Sequence, residues 1–511
     1  MGENIINLYK TKCRKEWKIA FISTLVIGLF VHIYKFTNYL PNHDSMYNFY
    51  SDQNVLGSGR WFLSIACGFS SYFDLPWING IFALIYIALT SVIIIKLFEV
   101  KNTVPIILIS GLLVSFPAVT ETFFFEFTAD GYMLAMLLSA VAVYIIRLEN
   151  NKFRNVIFSA VLLSLSCGIY QAYVSFAMVL MILYFIWKLL DNKGDNFRTY
   201  SKWVRNQLIA VISGMILFFI IWKLCMYFQN VSANDYQGIN NLGLNLDTIM
   251  SGIKNTFLSL INFLVEGNVL KHGINIYGVL DILMIIAFIS IIIYSFLKNR
   301  EKMNAIKILV IAGCIIGIPF IICIWCFTSK EVGYAARMLQ SYVLIYIFSI
   351  LLCDKYVKVK YSNLFALLVS ITVINFSIMA NISYYYLDIE YKNSMVEAIE
   401  MKNEIDESIE KVGSNYELAI IGDRSANVAL DFDTEAKKVR LFTNVIEKSL
   451  LYNAEHIIPY FNNVLYYSPN TASYDKIEEI ANSKKFLSME TWDNCKKVYI
   501  LSNHYIVMKL S

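Results

Sequence analysis

Long apolar runs, broken at intervals by short charged stretches, set the rhythm of this chain. Ile19–Phe30, Trp77–Ile95 and Val279–Phe296 are the clearest of them. With their flanks they approach the ~20 residues needed to cross a ~30 Å hydrocarbon core. The pattern predicts membrane spans over about 17–37, 77–97, 104–120, 131–147, 155–169, 172–190, 207–227, 276–297, 306–327, 338–353 and 362–381. The pair 155–169 and 172–190, separated only by Tyr170-Gln171, reads as two spans or as a re-entrant hairpin buried in the bundle. Past residue 381 the regime changes. Tyr384–Lys411 is charged with a helical pattern that offers Met395, Ile399, Ile405 and Ile409 for one apolar face, Glu417–Gly422 reads as a buried strand, and Lys497–Leu501 with Tyr505–Lys509 as two paired strands. The predicted fold is an all-α polytopic membrane protein of about 11 helices, residues 1–381, followed by a small extracytoplasmic α/β domain, residues 382–511.

Composition fits that class. The 511 residues are 57% hydrophobic and 16% charged, where a soluble domain carries roughly 25% charged residues. The net charge of +4 is too small to imply a nucleic-acid partner. The nine cysteines show no regular spacing, and Cys323-x-x-Cys326 lies within a span, where a thiol behaves as a small hydrophobe.

Charge sets the topology. Lys10, Lys12, Arg14, Lys15 and Lys18 precede the first span, and no small-x-small cleavage site follows it, so the span reads as a retained signal anchor. Alternate loops are basic, for example Lys96/Lys101, Arg147/Lys152/Arg154 and Lys355/Lys358/Lys360. Positive loops stay in the cytoplasm. The amino terminus is therefore expected inside and the carboxy-terminal domain outside.

The outer loops hold Asp44, Asp52, Asp74, Glu121, Glu126, Asp130, Asp235, Asp247, Glu266 and Glu331, with Arg60 and Arg337. A positive-inside bias alone makes outer loops look acidic, but it does not explain acids wrapped in aromatics. In Glu121-Thr-Phe-Phe-Phe-Glu126-Phe-Thr-Ala-Asp130, a helical conformation would put Glu126 and Asp130 on one face; a short turn would point the acids to water. Asp44, Asn48 and Asp52 repeat at the four-residue spacing of a short surface helix that Gly57 and Gly59 would end. Arg60–Phe73 and Leu246–Val265 read as interfacial segments that suit an enzyme acting on a lipid head group.

Taken in order, His43-Asp44-Ser45, Gly59-Arg60-Trp61, Phe116-Pro-Ala-Val-Thr-Glu121, Tyr170-Gln171-Ala-Tyr173 and Tyr334-Ala-Ala-Arg337 resemble the Gtr type II glucosyltransferases, polytopic enzymes of the GT-C class that decorate bacterial surface glycans. The likeness covers roughly residues 15–400 and lies in order and spacing more than in any one string. It implies a polyprenyl-phosphate-linked sugar donor, with glucose as the sugar, and a surface glycan acceptor. It also implies action on the outer face of the bacterial cytoplasmic membrane, with Asp44, the acid of the first outer loop, as base.

The required chemistry is small, because a lipid phosphate is already a good leaving group. A base must take the acceptor proton, for which Asp44 is placed. A cation must hold the departing phosphate, and Arg60 and Arg337 offer planar forks that match its oxygens. Arg337 also reads as an interfacial snorkelling residue. His43, Glu121, Glu126, Asp130, Tyr170 and Gln171 are candidates for binding sugar or acceptor or for assisting the base. Attack opposite the phosphate would invert the anomeric centre. No metal-ligand cluster is evident, and a divalent cation on these acids stays open. Gly422-Asp423-Arg424-Ser425 follows a strand but lacks the glycines and lysine of a nucleotide loop and reads as a turn. Two other readings remain: a transporter or flippase of lipid-linked saccharides, and an O-antigen-ligase-like transferase. Transporters place ionisable groups at mid-depth, whereas Lys223 and Asp281 sit toward the outer ends of their spans and no internal repeat shows.

Overall fold

Helices dominate, as the apolar runs require. The computed structural model describes residues 14–147, 152–191, 197–234, 243, 245–261, 276–300, 305–330, 332–333, 335–413, 415–424, 449–501 and 504–511. Asp235, Glu266, Glu331, Tyr334, Ser425 and the Asp281 side chain fall outside this set. Among the described residues, ten helices are long and apolar enough to cross a membrane, and Phe153–Ile169 is a shorter apolar helix in the place of an eleventh span. The chain divides into two compact units: one runs through Thr37 and then over Asp52–Asn381, and the other holds Asn38–Ser51 and the chain from Ile382 on.

In the first unit α1 is Lys15–Thr37, α2 Pro76–Leu97, α3 Thr103–Ser115, α4 Pro117–Phe124, α5 Glu126–Ile145, α6 Phe153–Ile169, α7 Tyr173–Asp191 and α8 Phe197–Gln229. Beyond them come α9 Leu246–Ile261, α10 Ile276–Asn299, α11 Ala305–Ile322, a short 3-10 helix Ala336–Tyr342 leading into α12 Val343–Tyr356, and α13 Val359–Val412. Prolines set two starts: Pro76 and Pro117 each sit in a first turn, where a missing N–H costs nothing. Phe116, restricted by the proline after it, is extended and breaks α3 from α4.

Close approach between spans comes from small residues. A side chain on Gly28 would come within 2.7 Å of Leu84 and 2.8 Å of Val114. Serines bond across helices, Ser91 to Ser110 at 2.9 Å, Ser139 to Ser166 at 2.9 Å and Ser175 to Ser341 at 2.8 Å, as expected where no water competes. The His32 ring meets the Val114 carbonyl at 2.9 Å. α9 turns Thr248, Gly252 and Thr256 inward and leaves Leu246, Met250 and Phe257 exposed. Residues 60–73 form only a short helix, Leu63–Cys67, and a turn; Leu63 and Cys67 are buried while Ile65 and Phe69 are exposed.

The helical reading of 121–130 holds, while its placement in a loop and the alternative of a water-facing turn do not: α4 runs to Phe124, α5 starts at Glu126, and all three acids are buried. Its four phenylalanines pull the stretch into the bundle and the acids go with them. The last span does not stop near 381 either. α13 contains no proline or glycine and runs unbroken for 54 residues to Gly413, whose φ of +93° ends it.

In the second unit β1 (Glu417–Ile421) pairs parallel with β3 (Tyr505–Lys509), which pairs antiparallel with β2 (Tyr499–Ile500). Ala398, Met401 and Ile405 of α13 pack on the sheet side with Leu418, Ile420, Ile506 and Met508 and with Ile457, Tyr460 and Phe461 of α14 (Ala454–Val464). The buried line on α13 is therefore Ala398, Met401 and Ile405; Ile399 of the expected face is 43% exposed, because it lies a fraction of a turn off that stripe. Arg424, buried after β1, bonds Glu397 at 2.7 Å and Asp493 at 2.6 Å. Asn38–Ser51 belongs to this unit: Met46 is 1% exposed in its core, and the Asn463 amide donates to the Met46 carbonyl at 2.9 Å. The expected helix through Asp44, Asn48 and Asp52 is only a 3-10 turn, His43–Ser45. The Asn42 side chain accepts from Asp44 N at 2.8 Å and Ser45 N at 3.0 Å, and Asn48 donates to the Asp44 carbonyl at 2.8 Å. Such local bonds compete with helix propagation.

Candidate active site

Residues 56–62 are fastened to the turn between α6 and α7. Gly59 has a φ of +83°, and any side chain on it would come within 2.7 Å of the Gln171 amide nitrogen. That amide donates to the Ser58 carbonyl at 2.8 Å, Phe62 N donates to the Gly168 carbonyl at 2.8 Å, and the Trp222 indole donates to the Leu56 carbonyl at 2.8 Å. Gln171 is thus a strut for the loop, and its own carbonyl accepts from Trp325 at 3.1 Å. Held this way, the Arg60 guanidinium lies 4.9 Å from the Tyr170 ring centre and donates to the Tyr132 hydroxyl at 3.2 Å. Tyr132 and Tyr170 stack at 4.4 Å, 4° from parallel, so Arg60 has an aromatic bed.

Arg337 is held by Glu121. Its Nη1 is 3.0 Å from Glu121 Oε1, and its backbone N–H donates to Oε2 at 3.2 Å, so both carboxylate oxygens are engaged. The guanidinium carbon also sits 4.0 Å from the Phe125 ring centre. The Glu121 side chain is 4% exposed and that of Arg337 19%, which leaves part of a fixed guanidinium open. Snorkelling does not describe this geometry, because a snorkelling head is solvated rather than clamped.

Glu126 and Asp130 lie apart from that pair in their bonding. Glu126 is paired with Lys35 of α1 at 2.8 Å, with side chains 1% and 3% exposed. Asp130 accepts from the Gly131 N–H at 2.8 Å. Asp74, in the loop before α2, is 5% exposed. Burial pushes its carboxyl up to about 6, against the pull of the Lys35 ammonium. Three acids and one lysine therefore share a buried region of the bundle, and Lys35 was legible in the sequence only as the end of the first span. Charges buried this way must be paired to persist. Among the described residues no three His, Cys, Asp or Glu side chains gather as a metal ion would require.

Asp44 and His43 sit in the second unit. His43 Nε2 is 3.5 Å from Asp44 Oδ1, and the Tyr47 hydroxyl is 3.3 Å from the same oxygen. The Asp44 side chain is 35% exposed, open enough to meet a hydroxyl from outside. Tyr47 and its other neighbour, His456, gave no signal in sequence because 409 residues separate them.

A bundle of apolar helices with arginines fixed inside it, followed by a small α/β unit, defines a polytopic membrane protein with a built polar site. The chain belongs to the GtrII glucosyl transferase family, whose description matches residues 33–353, well over half of the 511. Its activity is accordingly glucosyl transfer. No curated protein and no solved structure matches the chain.

The Gly168 contact offers a test of how Arg60 is placed. A methyl group there would come within 2.6 Å of the Trp61 indole, a rigid group that cannot swing aside cheaply. Gly168→Ala should lower stability by about 1–3 kcal/mol and raise KM for the donor, measured by thermal melting in detergent and by turnover. An unchanged KM would mean that Arg60 does not depend on this packing.

Proposed function

We propose that this glucosyl transferase takes glucose from a polyprenyl-phosphate donor on the outer face of the bacterial cytoplasmic membrane and passes it to a surface glycan, in the manner of GT-C enzymes. The observation that carries the reading is the Glu121–Arg337 clamp: a guanidinium fixed within an apolar bundle yet partly open suits an anionic group on a lipid. Arg60, on its tyrosine bed, is a second such group.

In the proposed reaction the acceptor oxygen attacks the anomeric carbon while the bond from that carbon to the phosphate oxygen breaks. The acceptor proton goes to a carboxylate base, the role that the resemblance gives to Asp44, and the electron pair leaves with the polyprenyl phosphate, an anion for which the Arg337 and Arg60 guanidiniums are suited. One displacement of this kind inverts the anomeric centre. α9, with a small-residue face inward and an apolar face outward, suits a lipid surface. The expected side for Ser511 and the second unit is extracytoplasmic, as the basic loops require.

Purified protein should turn over polyprenyl-phospho-glucose and leave soluble nucleotide-glucose untouched, with mass analysis of surface glycans from cells with and without the chain to identify the product. Turnover of the nucleotide sugar would remove the lipid-donor reading.

A further inference from the structure

Asp44 ends a line of hydrogen-bonding groups whose proton positions can be worked out from their chemistry. Asp44 Oδ1 is 3.3 Å from the Tyr47 hydroxyl, and that hydroxyl is 2.8 Å from His456 Nε2. His456 Nδ1 is 2.6 Å from Asn453 Oδ1. Asn453 Nδ2 donates to Asp423 Oδ1 at 3.1 Å. A carboxylate only accepts, so Asp423 fixes which end of the Asn453 amide faces it. The carbonyl oxygen then faces His456, and Nδ1 must carry a hydrogen.

That leaves Nε2 to decide the rest. In a neutral His456, Nε2 is an acceptor and takes the single Tyr47 hydroxyl hydrogen. In a protonated His456, Nε2 donates to the Tyr47 oxygen, and the hydroxyl hydrogen turns to Asp44. Tyr47 cannot supply both bonds at once, since a phenol has one hydrogen. Burial and the Asp44 charge hold the Tyr47 phenol well above its ordinary value, so it stays protonated and acts as a switchable donor.

We propose that His456 is a positioning residue that sets, through Tyr47, whether Asp44 can serve as base. Neutral His456 draws the Tyr47 hydrogen away and leaves the Asp44 oxygen open to the acceptor proton. Protonated His456 turns the Tyr47 hydroxyl onto Asp44 and makes it a poorer base. The inference rests on Asp44 being the base of the proposed reaction. The other titratable groups facing this line are His43, whose ring is 6.0 Å from that of His456, Tyr452 at 5.7 Å, Asp423 behind Asn453, and Glu455, whose charge reaches Tyr47. His456 itself is buried, 6% exposed, so its effect passes through these contacts rather than through solvent.

The test is a pH profile of glucose transfer by membranes carrying the full chain, supplied with radiolabelled polyprenyl-phospho-glucose. Wild type should gain about tenfold in a single step as the pH is raised from about 5 to about 8, the span in which a histidine can act as a switch. His456→Gln keeps a polar partner for Tyr47 but cannot titrate, and its profile should be flat to within about twofold. Tyr47→Phe keeps the histidine and cuts the link, and it should be flat as well. The inference is overturned if either variant retains the tenfold step, or if the step disappears in His43→Gln and survives in His456→Gln. Asp44→Asn in the same membranes separates the two levels. Normal transfer by Asp44→Asn overturns the base assignment itself. A crippled Asp44→Asn beside a step that persists in both other variants overturns only the role of His456.

Discussion

Asp44→Asn should reduce glucose transfer by about 10²–10⁴, the range of general-base catalysis, while protein abundance stays at the wild-type level. Asparagine keeps the size and the acceptor oxygen that Tyr47 and His43 approach, and the site is a partly exposed turn rather than a packed span, so little structural cost is expected. What the amide lacks is the capacity to take the acceptor proton at neutral pH. Asp52→Asn is the control: its carboxylate bonds the Asn54 N–H at 3.0 Å in an exposed stretch and should cost far less. Transfer at the normal rate by well-expressed Asp44→Asn protein would end the assignment. Glu121 would not replace it easily, because both of its oxygens are already held by Arg337.

Arg337→Gln should fail at two levels. It leaves the Glu121 carboxylate buried without its cation, and breaking a buried pair in this one-sided way costs about 3–5 kcal/mol. It also removes the fork proposed to hold the departing phosphate. The double variant Glu121→Gln/Arg337→Gln separates the two effects. With no unpaired charge left behind, much of the melting temperature and membrane abundance should return, while transfer stays at least about 10²-fold down, as for loss of one strong transition-state contact. A double variant that recovers transfer along with abundance would show that the pair is structural and that the phosphate is held elsewhere.

The elements that repeat locally were legible from the sequence. Apolar run length announces a span, and the strands around Leu418–Ile420 and Ile506–Met508 follow from short apolar stretches bounded by turn residues. Gly59-Arg60-Trp61 and Tyr170-Gln171 were each legible as strings, but their union was not: it depends on Gly168 having no side chain where Trp61 lies. The stretch 121–130 shows where local reading stops. The spacing of Glu126 and Asp130 gave their shared helical face, but only partners from distant helices make the burial of these acids possible. Glu126 finds Lys35 on α1, and Glu121 finds Arg337 in the 3-10 helix.

The sequence by itself determined the class of protein, the family and, among the described residues, the order of the apolar helices to within one short helix. Those properties follow from hydrophobic run length, charge alternation and the order of short motifs, all readable along the chain. Only the tertiary structure decided which charge meets which. Glu121 and Arg337 are 216 residues apart in sequence and Tyr47 and His456 are 409, and a charge or a phenol carries no local mark of its distant partner. A buried charge needs such a partner to be tolerated at all, so at these positions packing, rather than periodicity, fixed the chemistry.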